Sequence, residues 1–426
     1  MQRRQFIETT STTALLAGWT KTGLSRVQPS PERLVVGVMG MGRGKALALE
    51  FAQVEGVEVR YVCDVDQERA ESAAKSVNEA GGKTVPIRDF RRILDDQEID
   101  ALVCAAPNHW HGPATVMACK AGKHVYVEKP VSHNPQEGEW MIQAAEKYGR
   151  CIQMGTQRRS SAGYLKAIEK LHAGAIGKVY LARAFYNSKR GPIGSKSDGQ
   201  APAHLDFDLW QGPVPKRAYR ENFAHYHWHW FWHWGNGELG NNGVHFVDLC
   251  RWGLNVTYPI RTVSSGGRYR FQDDQETPDT HRVCWEFEGG KQIAFEGLSC
   301  GKHPGGPFVS FYGYDGYMEI DSEAGYRIYE GNDKLLESDQ ATGLGLATHV
   351  ANFVEAIRAG DSSLLRQPIL SAHQSTLLCH LGNIAHRTGL AIETNPRDGH
   401  LLDPSLASQY WGREYDSAWE SQVRIP

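Results

Sequence analysis

The stretch that most constrains this chain is Leu34–Val35–Val36–Gly37–Val38–Met39–Gly40–Met41–Gly42–Arg43–Gly44–Lys45. An apolar run of strand length breaks into glycines, and Ala46, Leu47, Leu49 and Phe51 then recur at helix-like spacing. The pattern predicts a first strand, a tight turn and a helix N-terminus. Gly40 permits the turn, and Gly42 lets the backbone come close to a diphosphate. Free amides at the positive end of the helix dipole then hold the phosphate charge. The third glycine of a dinucleotide fingerprint would fall at Lys45, and Gly44 lies one residue early.

The spacing downstream supports this reading. Val57–Glu58–Val59–Arg60–Tyr61–Val62–Cys63 reads as a second strand ending at Asp64, 24 residues after Gly40. A carboxylate there accepts both ribose hydroxyls of NAD and repels the extra phosphate of NADP. NAD is therefore the expected cofactor, with Arg43 the residue through which a 2′-phosphate could be accommodated instead.

The alternation continues along the chain. A helix is expected from about Gln67 to Ala80, then a short strand Thr84–Ile87 and a helix around Phe90–Leu94. Ile99–Ala106 reads as a buried strand stopped by Pro107, which puts Asn108–His109–Trp110–His111 at a carboxyl end, where open parallel sheets bind ligands. Helix Pro113–Ala121 and strand Lys123–Val127 follow, the strand delivering Glu128–Lys129–Pro130. Helix Pro135–Tyr148 and strand Cys151–Met154 complete a doubly wound, parallel α/β unit.

With 426 residues the chain has room for two domains. Its 46 Lys and Arg against 49 Asp and Glu leave a net charge of -3, so no global field recruits nucleic acid or anionic membrane. The eight cysteines include no C-x-x-C pair and sit in apolar stretches, which suits small core residues rather than disulfides or a zinc site. Arg3–Arg4 and Phe6–Ile7 precede a weakly hydrophobic run, Thr9 to Trp19, too short and polar to span a bilayer. This start resembles a twin-arginine export signal, with the mature chain beginning between Gly18 and Pro31. Periplasmic residence in an already folded state is the expectation, with cysteines reduced and a cofactor loaded before export.

Gly40-x-Gly42, Asp64, Pro107–Asn108-x-x-His111, Glu128–Lys129–Pro130 and Gly155-x-Gln157–Arg158–Arg159 occur in order, followed by Gly243–Val244–His245. Together they resemble the Gfo/Idh/MocA oxidoreductases, the family of glucose–fructose oxidoreductase and inositol dehydrogenase. The resemblance implies a Rossmann domain, then an α/β domain with a large, open, mostly antiparallel sheet, and an active site where the two meet. The expected division is a signal and linker over 1–30, the NAD-binding domain over 31–155, a substrate and oligomerisation domain over 156–390, and a tail over 391–426 that packs on the body. Cofactor contacts are expected from Gly40, Gly42, Arg43, Gly44, Asp64, Pro107, Asn108, His111, Glu128, Lys129 and Gln157.

Oxidising a secondary alcohol needs a base for the hydroxyl proton and a hydride acceptor beside the carbon. Lys129, at the end of a buried strand, can hydrogen-bond the alcohol oxygen and stabilise it as the proton departs. His245 occupies the histidine of the family's Asp-x-Gly-x-His motif, and imidazole titrates near neutral pH. Asn241 stands where the family usually has aspartate. An amide orients a ligand but cannot hold negative charge or raise the histidine's pKa. Lys129 and His245 are thus expected to carry the proton chemistry, with Asn241 orienting.

In the second half a helix is expected over Tyr164–Leu171, then a strand Val179–Tyr186 and a long Gly- and Pro-rich loop from Ser188 to Pro215. The segment His225–Tyr226–His227–Trp228–His229–Trp230–Phe231–Trp232–His233–Trp234 follows; if extended, it sets imidazoles on one side and indoles on the other. Three readings stay open. The rings could contact carbohydrate, pack as ordinary core, or gather His225, His227 and His229 on a metal. The family's polyol and sugar substrates favour the first, so no metal is expected. Arg158, Tyr186, His225, Trp228, Trp230 and Trp232 become the candidate substrate contacts.

Ser264–Arg270, His281–Phe287, Gln292–Glu296, Val309–Tyr312 and Tyr317–Ile320 alternate as strands of a half-exposed antiparallel sheet. By analogy with the family, its outer face serves self-association into a homo-oligomer. Helices are expected over Ala347–Ala359 and Ser371–Thr388. The leading expectation is an oxidoreductase acting on a ring hydroxyl of a sugar, glycoside or cyclitol with a tightly held nicotinamide. The alternatives are a redox-neutral, NAD-assisted glycosidase and, because of Asn241, a non-catalytic sugar-binding protein.

Overall fold

The computed structural model describes residues 33–301, 306–340 and 342–425. The paired arginines and the rest of the expected export signal lie outside them. The first domain runs β1 (Leu34–Met39), α1 (Gly44–Ala52), β2 (Val57–Cys63), α2 (Gln67–Glu79), β3 (Val85–Ile87) and α3 (Arg91–Asp95). It continues through β4 (Ala101–Cys104), α4 (Asn108–Lys120), β5 (His124–Val127), α5 (Pro135–Tyr148) and β6 (Ile152–Met154). The six strands pair in parallel in the order β3-β2-β1-β4-β5-β6. The order reverses between β1 and β4, which opens a crevice at their carboxyl ends. Every residue of β1, β4 and β5 is buried, because helices cover both faces of the sheet.

One expected boundary moves. Helix α4 begins at Asn108, so Asn108–His111 form its first turn and Pro113 lies inside it. The sequence reading placed that proline at the helix start, where it is most favoured. Tertiary contacts of the first turn override the preference: both His109 Nε2 and Trp110 Nε1 reach the Trp210 carbonyl, at 2.9 and 3.0 Å.

The second domain opens with α6 (Ala162–His172), β7 (Val179–Lys189), the short α7 (Phe207–Gln211) and α8 (Val244–Leu254). Its sheet adds β8 (Arg261–Gly267), β9 (Thr280–Phe287), β10 (Lys291–Leu298), β11 (Cys300–Gly301), β12 (Val309–Gly313) and β13 (Gly316–Ile320). Two strands not anticipated from the sequence, β14 (Tyr326–Glu330) and β15 (Leu335–Asp339), extend one edge, and β16 (Ile392–Glu393) closes the other. The sheet is antiparallel except where β10 runs parallel to β7. Helix α8 packs on its inner face, with Val244, Val247 and Cys250 buried among Phe295, Phe311 and Tyr164.

The chain then returns to the first domain. Helix α9 (Leu346–Ala359) lies on the Rossmann sheet, Phe353 meeting Phe51 and Tyr126 edge-on at 6.2 and 5.8 Å. Helix α10 (Ile369–Thr388) follows, and the tail carries Tyr415, Trp419 and Val423 into the opposite face. Burial of such side chains contributes about 1.5–3 kcal/mol each. The domains therefore share their cores. A buried ion pair reinforces the junction: Arg159 donates to both Asp248 oxygens at 2.8 Å, tying the end of the first domain to α8. All eight cysteines are free thiols, six of them buried.

Candidate active site

The glycine turn has the conformation its sequence demands. Gly40 has φ +88°, and a Cβ there would lie 2.6 Å from the backbone of Ala105 and Ala106. Gly44 resolves the irregular fingerprint. It is buried at the start of α1, where a Cβ would sit 3.2 Å from Val38 and 3.1 Å from Met41. It thus supplies the close helix–strand approach usually given by the residue at Lys45. No side chain caps α1; its Gly44 and Ala46 amides donate to the Gly40 and Arg43 carbonyls at 3.0 and 3.1 Å, so what the helix start offers a ligand is its positive dipole end.

Asp64 lies where the second strand ends. One carboxylate oxygen accepts from the Met41 amide at 2.7 Å, the other from the Asp66 amide at 3.0 Å. Arg69 approaches it at 3.5 Å, a cation the sequence reading did not single out. Arg43 reaches from the glycine turn to Glu128, Nε donating at 3.1 Å. These groups open into one cavity of about 660 Å³. Pro107, Asn108, His111 and Gln157 line it as well. The His111 ring lies between two carbonyls, Pro130 at 2.6 Å and Ala106 at 2.8 Å, and so bridges the segments that follow β5 and β4.

The same cavity reaches the chemistry-bearing groups. Lys129, Asn241 and His245 line it together, contributed by the end of β5, by a single π-helical turn, Leu239–Gly243, and by the first turn of α8 that follows it. Lys129 Nζ donates to the Asn241 backbone carbonyl at 2.6 Å and to its side-chain oxygen at 3.1 Å. Burial lowers the Lys129 pKa, with Glu128 and Glu238 acting against it. The His245 pKa is held well below its ordinary value by burial first, then by the charges of Lys129, Arg158 and Arg43. Its imidazole is therefore neutral at physiological pH and can accept a proton. His245 Nδ1 is buried without a hydrogen-bond partner.

A second carboxylate, Glu238, sits one helical turn before Asn242. It pairs with Arg190 at 2.7 Å and accepts from Asn242. The sequence offered one cue to it, an acid in an otherwise neutral Gly- and Asn-rich run, but not the Arg190 partner 48 residues away.

The aromatic segment is not extended. His227–Trp230 form a 3-10 turn, so the expected two-sided alternation is replaced by a three-residue repeat. Trp228, Trp230, Phe231 and Trp234 are buried with Trp210 and Phe223 in one aromatic cluster, and core packing accounts for most of the segment. Of the candidate substrate contacts, His225 and Trp228 line the cavity, joined by Tyr226 and His229. The other four lie elsewhere. Trp230 is 3 % exposed, with the Arg190 guanidinium 4.9 Å from its ring. Trp232 faces a separate cleft. Tyr186 accepts from Asn242 at 3.1 Å behind the site, and Arg158 stacks on Phe308 at 4.3 Å while bonding the Ser322 carbonyl. The three histidines of the metal alternative diverge: His225 Nε2 meets Asp66 at 2.8 Å, and His229 Nδ1 the Tyr226 carbonyl at 2.6 Å.

A glycine turn, an uncapped helix start and an acid closing the second strand form a dinucleotide cradle, and the cavity leads from it to a lysine and a neutral histidine. The class defined is a two-domain nicotinamide-dependent oxidoreductase. Residues 34–156 match the oxidoreductase family's NAD-binding Rossmann fold, and residues 185–421 its C-terminal alpha/beta domain. The chain belongs to the Gfo/Idh/MocA oxidoreductase family.

Among curated relatives, a glycosyl hydrolase family 109 protein of Saccharopolyspora erythraea is 31% identical over 163 residues, 36% of this chain and 35% of that protein. An inositol 2-dehydrogenase of Salmonella paratyphi B is 29% identical over 163 residues, 37% of this chain and 48% of the relative. The matched stretch thus spans a third to a half of these relatives' length. Two solved structures share the fold across 85% of this chain and 99% of their own. One is levoglucosan dehydrogenase in complex with NADH and levoglucosan, with TM-score 0.68 and 18% identity. The other is aldose-aldose oxidoreductase from Caulobacter crescentus complexed with glycerol, with TM-score 0.64 and 20% identity.

Proposed function

We propose that this protein oxidises or reduces a ring hydroxyl of a sugar, glycoside or cyclitol, using NAD held in the cavity below the glycine turn. The observation that carries the reading is the convergence of Lys129 and His245 on the wall of the cavity into which Gly40, Gly42 and Asp64 open. When bound, the nicotinamide supplies the hydride acceptor. Lys129 donates a hydrogen bond to the alcohol oxygen and stabilises its developing charge, and His245 takes the proton. Asn241 fixes the ammonium, while Glu128 and Glu238 provide the negative charge that an aspartate at 241 would have added. Asp64 favours NAD over NADP. Sugar and cyclitol substrates are supported by the levoglucosan and aldose enzymes of the same fold and by the inositol dehydrogenase relative.

A redox-neutral glycosidase is the second reading. It is favoured by the glycosyl hydrolase relative and by Tyr226 and His229, two further proton-transfer groups on the cavity wall. The expected export in folded form suits either course, because a cofactor retained through the cycle needs no free NAD pool. Self-association through the open sheet is supported by a half-exposed tyrosine ladder, Tyr312, Tyr317 and Tyr329, stacked at 6.1 and 4.7 Å.

The test is to denature the purified protein, identify the released nucleotide, and assay the intact protein against a glycoside panel. A keto sugar with NADH supports oxidation, released aglycone without net NADH supports the glycosidase, and neither product from any substrate refutes both.

A further inference from the structure

On the other side of the aromatic segment lies a second cleft, of about 330 Å³, that the reaction above does not use. Arg217, Arg387 and Arg413 line it. The Arg387 guanidinium is set between the rings of Trp232 and Tyr410, at 5.2 and 4.9 Å. Arg413 donates to His133 Nδ1 at 3.2 Å and to the His233 carbonyl at 2.9 Å, and its Nε is buried without a partner. Among the described residues no carboxylate forms an ion pair with any of the three. Glu414 sits at the rim, Glu137 acts on Arg413 from behind, and Glu276, which accepts from the Trp232 amide at 2.7 Å, acts on Arg387 without pairing with it.

A fourth group makes a different demand. Asn383, 6% exposed, uses its Nδ2 to reach the Asn236 carbonyl at 2.9 Å, and its Oδ1 has no partner. A buried amide oxygen left this way costs about 1–3 kcal/mol until a donor reaches it. Guanidinium forks match a carboxylate or phosphate, a hydroxyl satisfies the amide oxygen, and indole and phenol rings accept the C–H face of a sugar. The histidines add no charge. His133 Nδ1 accepts from Arg413, which leaves Nε2–H to donate to the Trp232 carbonyl at 3.0 Å.

We propose that this cleft is a binding site for a small polyhydroxylated anion, a sugar carboxylate or sugar phosphate, separate from the dinucleotide cavity. Its volume holds one monosaccharide unit.

Titration calorimetry on the full-length protein tests this with gluconate and glucose 6-phosphate as probes, and glucose and inorganic phosphate as comparisons. Gluconate or glucose 6-phosphate is expected to bind at one per chain. Arg387→Gln should weaken that binding at least about tenfold, as loss of one charge-assisted contact implies, whereas Lys129→Met should leave it intact. Asn383→Leu should weaken the hydroxylated anions while leaving inorganic phosphate unchanged. No heat with either probe overturns the proposal, as does binding that survives Arg387→Gln or disappears with Lys129→Met. Phosphate binding as tightly as glucose 6-phosphate overturns the sugar requirement. Arg217→Gln, at a second exposed position of the cleft, should weaken the binding in the same direction. Sedimentation velocity completes it: dissociation of an oligomer by Arg387→Gln, with no probe binding to the parent, assigns the cleft to a second copy and overturns the proposal.

Discussion

Lys129 gives its ammonium to both oxygens of Asn241, the backbone carbonyl at 2.6 Å and the side-chain amide at 3.1 Å, so a residue of the second domain holds the key cation of the first. Asparagine in place of aspartate therefore leaves the lysine's placement intact and removes only one unit of negative charge. Lys129→Met should lower kcat by ~10²–10⁴-fold, the range for loss of a positioned proton-transfer or charge-stabilising group. Nucleotide released on denaturation should remain at wild-type stoichiometry. Unchanged single-turnover rates would remove Lys129 from the chemistry.

The pH profile follows from the directions of the two shifts. In the proposed reaction His245 is the base in its neutral form, and it is held well below 6.5, so the acid limb of kcat/KM should fall below pH 6.5. Lys129, the cation of the same proposal, is lowered from 10.5, so the alkaline limb should fall below pH 10.5. In His245→Ala the acid limb should vanish together with most of the activity, and initial rates across pH check both limbs.

Stability should decline on mild acidification. His124, His281 and His380 are pushed down to about 3, and His349 and His373 to about 4, all by burial. Their folded pKa values lie below the unfolded value of 6.5, so the unfolded chain binds more protons and stability falls as pH drops below 6.5. Each contributes about 1.4 kcal/mol per pH unit. Glu137, raised to about 7 by burial, acts in the opposite sense between pH 7 and 4.5, but it is one group against these five and further histidines, His229 and His233 among them, both pushed down to about 3. Urea midpoints measured at pH 7.5 and 5 should differ in favour of pH 7.5.

Gly40→Ala places a side chain at φ +88° and within 2.6 Å of the Ala105–Ala106 backbone. Strain of this kind costs about 1–3 kcal/mol, and the movement that relieves it disturbs the phosphate cradle. A lower melting temperature and loss of co-purified nucleotide are expected together. Normal nucleotide content would show that the turn is not the cradle.

Trp419 lies 5.2 Å from Trp110 at a right angle, beneath the first turn of α4. Trp419→Ala should cost about 3–5 kcal/mol as a large core truncation. Chemical denaturation measures it, and a change under 1 kcal/mol would show the tail to be dispensable.

The strand–glycine–helix opening, Asp64 and the Glu128–Lys129–Pro130 turn were legible because each is a local signal: hydrophobic period, backbone permissiveness and position at a strand end. The open sheet was also legible in outline, since alternation marks a half-exposed strand. Its last strands were missed for two reasons: Tyr326–Glu330 buries only Tyr326 and Ile328, too short an alternation to stand out, and the edge strand Leu335–Asp339 buries no side chain at all. The His/Trp run misled for a related reason. Period-two alternation describes a strand only when the backbone is extended, and burial of Trp228, Trp230 and Trp234 in one cluster was worth more than the alternation.

The sequence by itself determined the class of fold and where the glycine turn, the lysine and the histidine fall along it, because those depend on residue type at fixed short spacing. Tertiary structure decided what those residues touch. It brought Asn241 onto Lys129 from 112 residues away, set Glu238 against Arg190, made His245 neutral by burial, and moved Trp232 to a different cleft. Such pairings depend on how two separately encoded cores dock, and no local periodicity records the distance between side chains that meet only after the chain has folded.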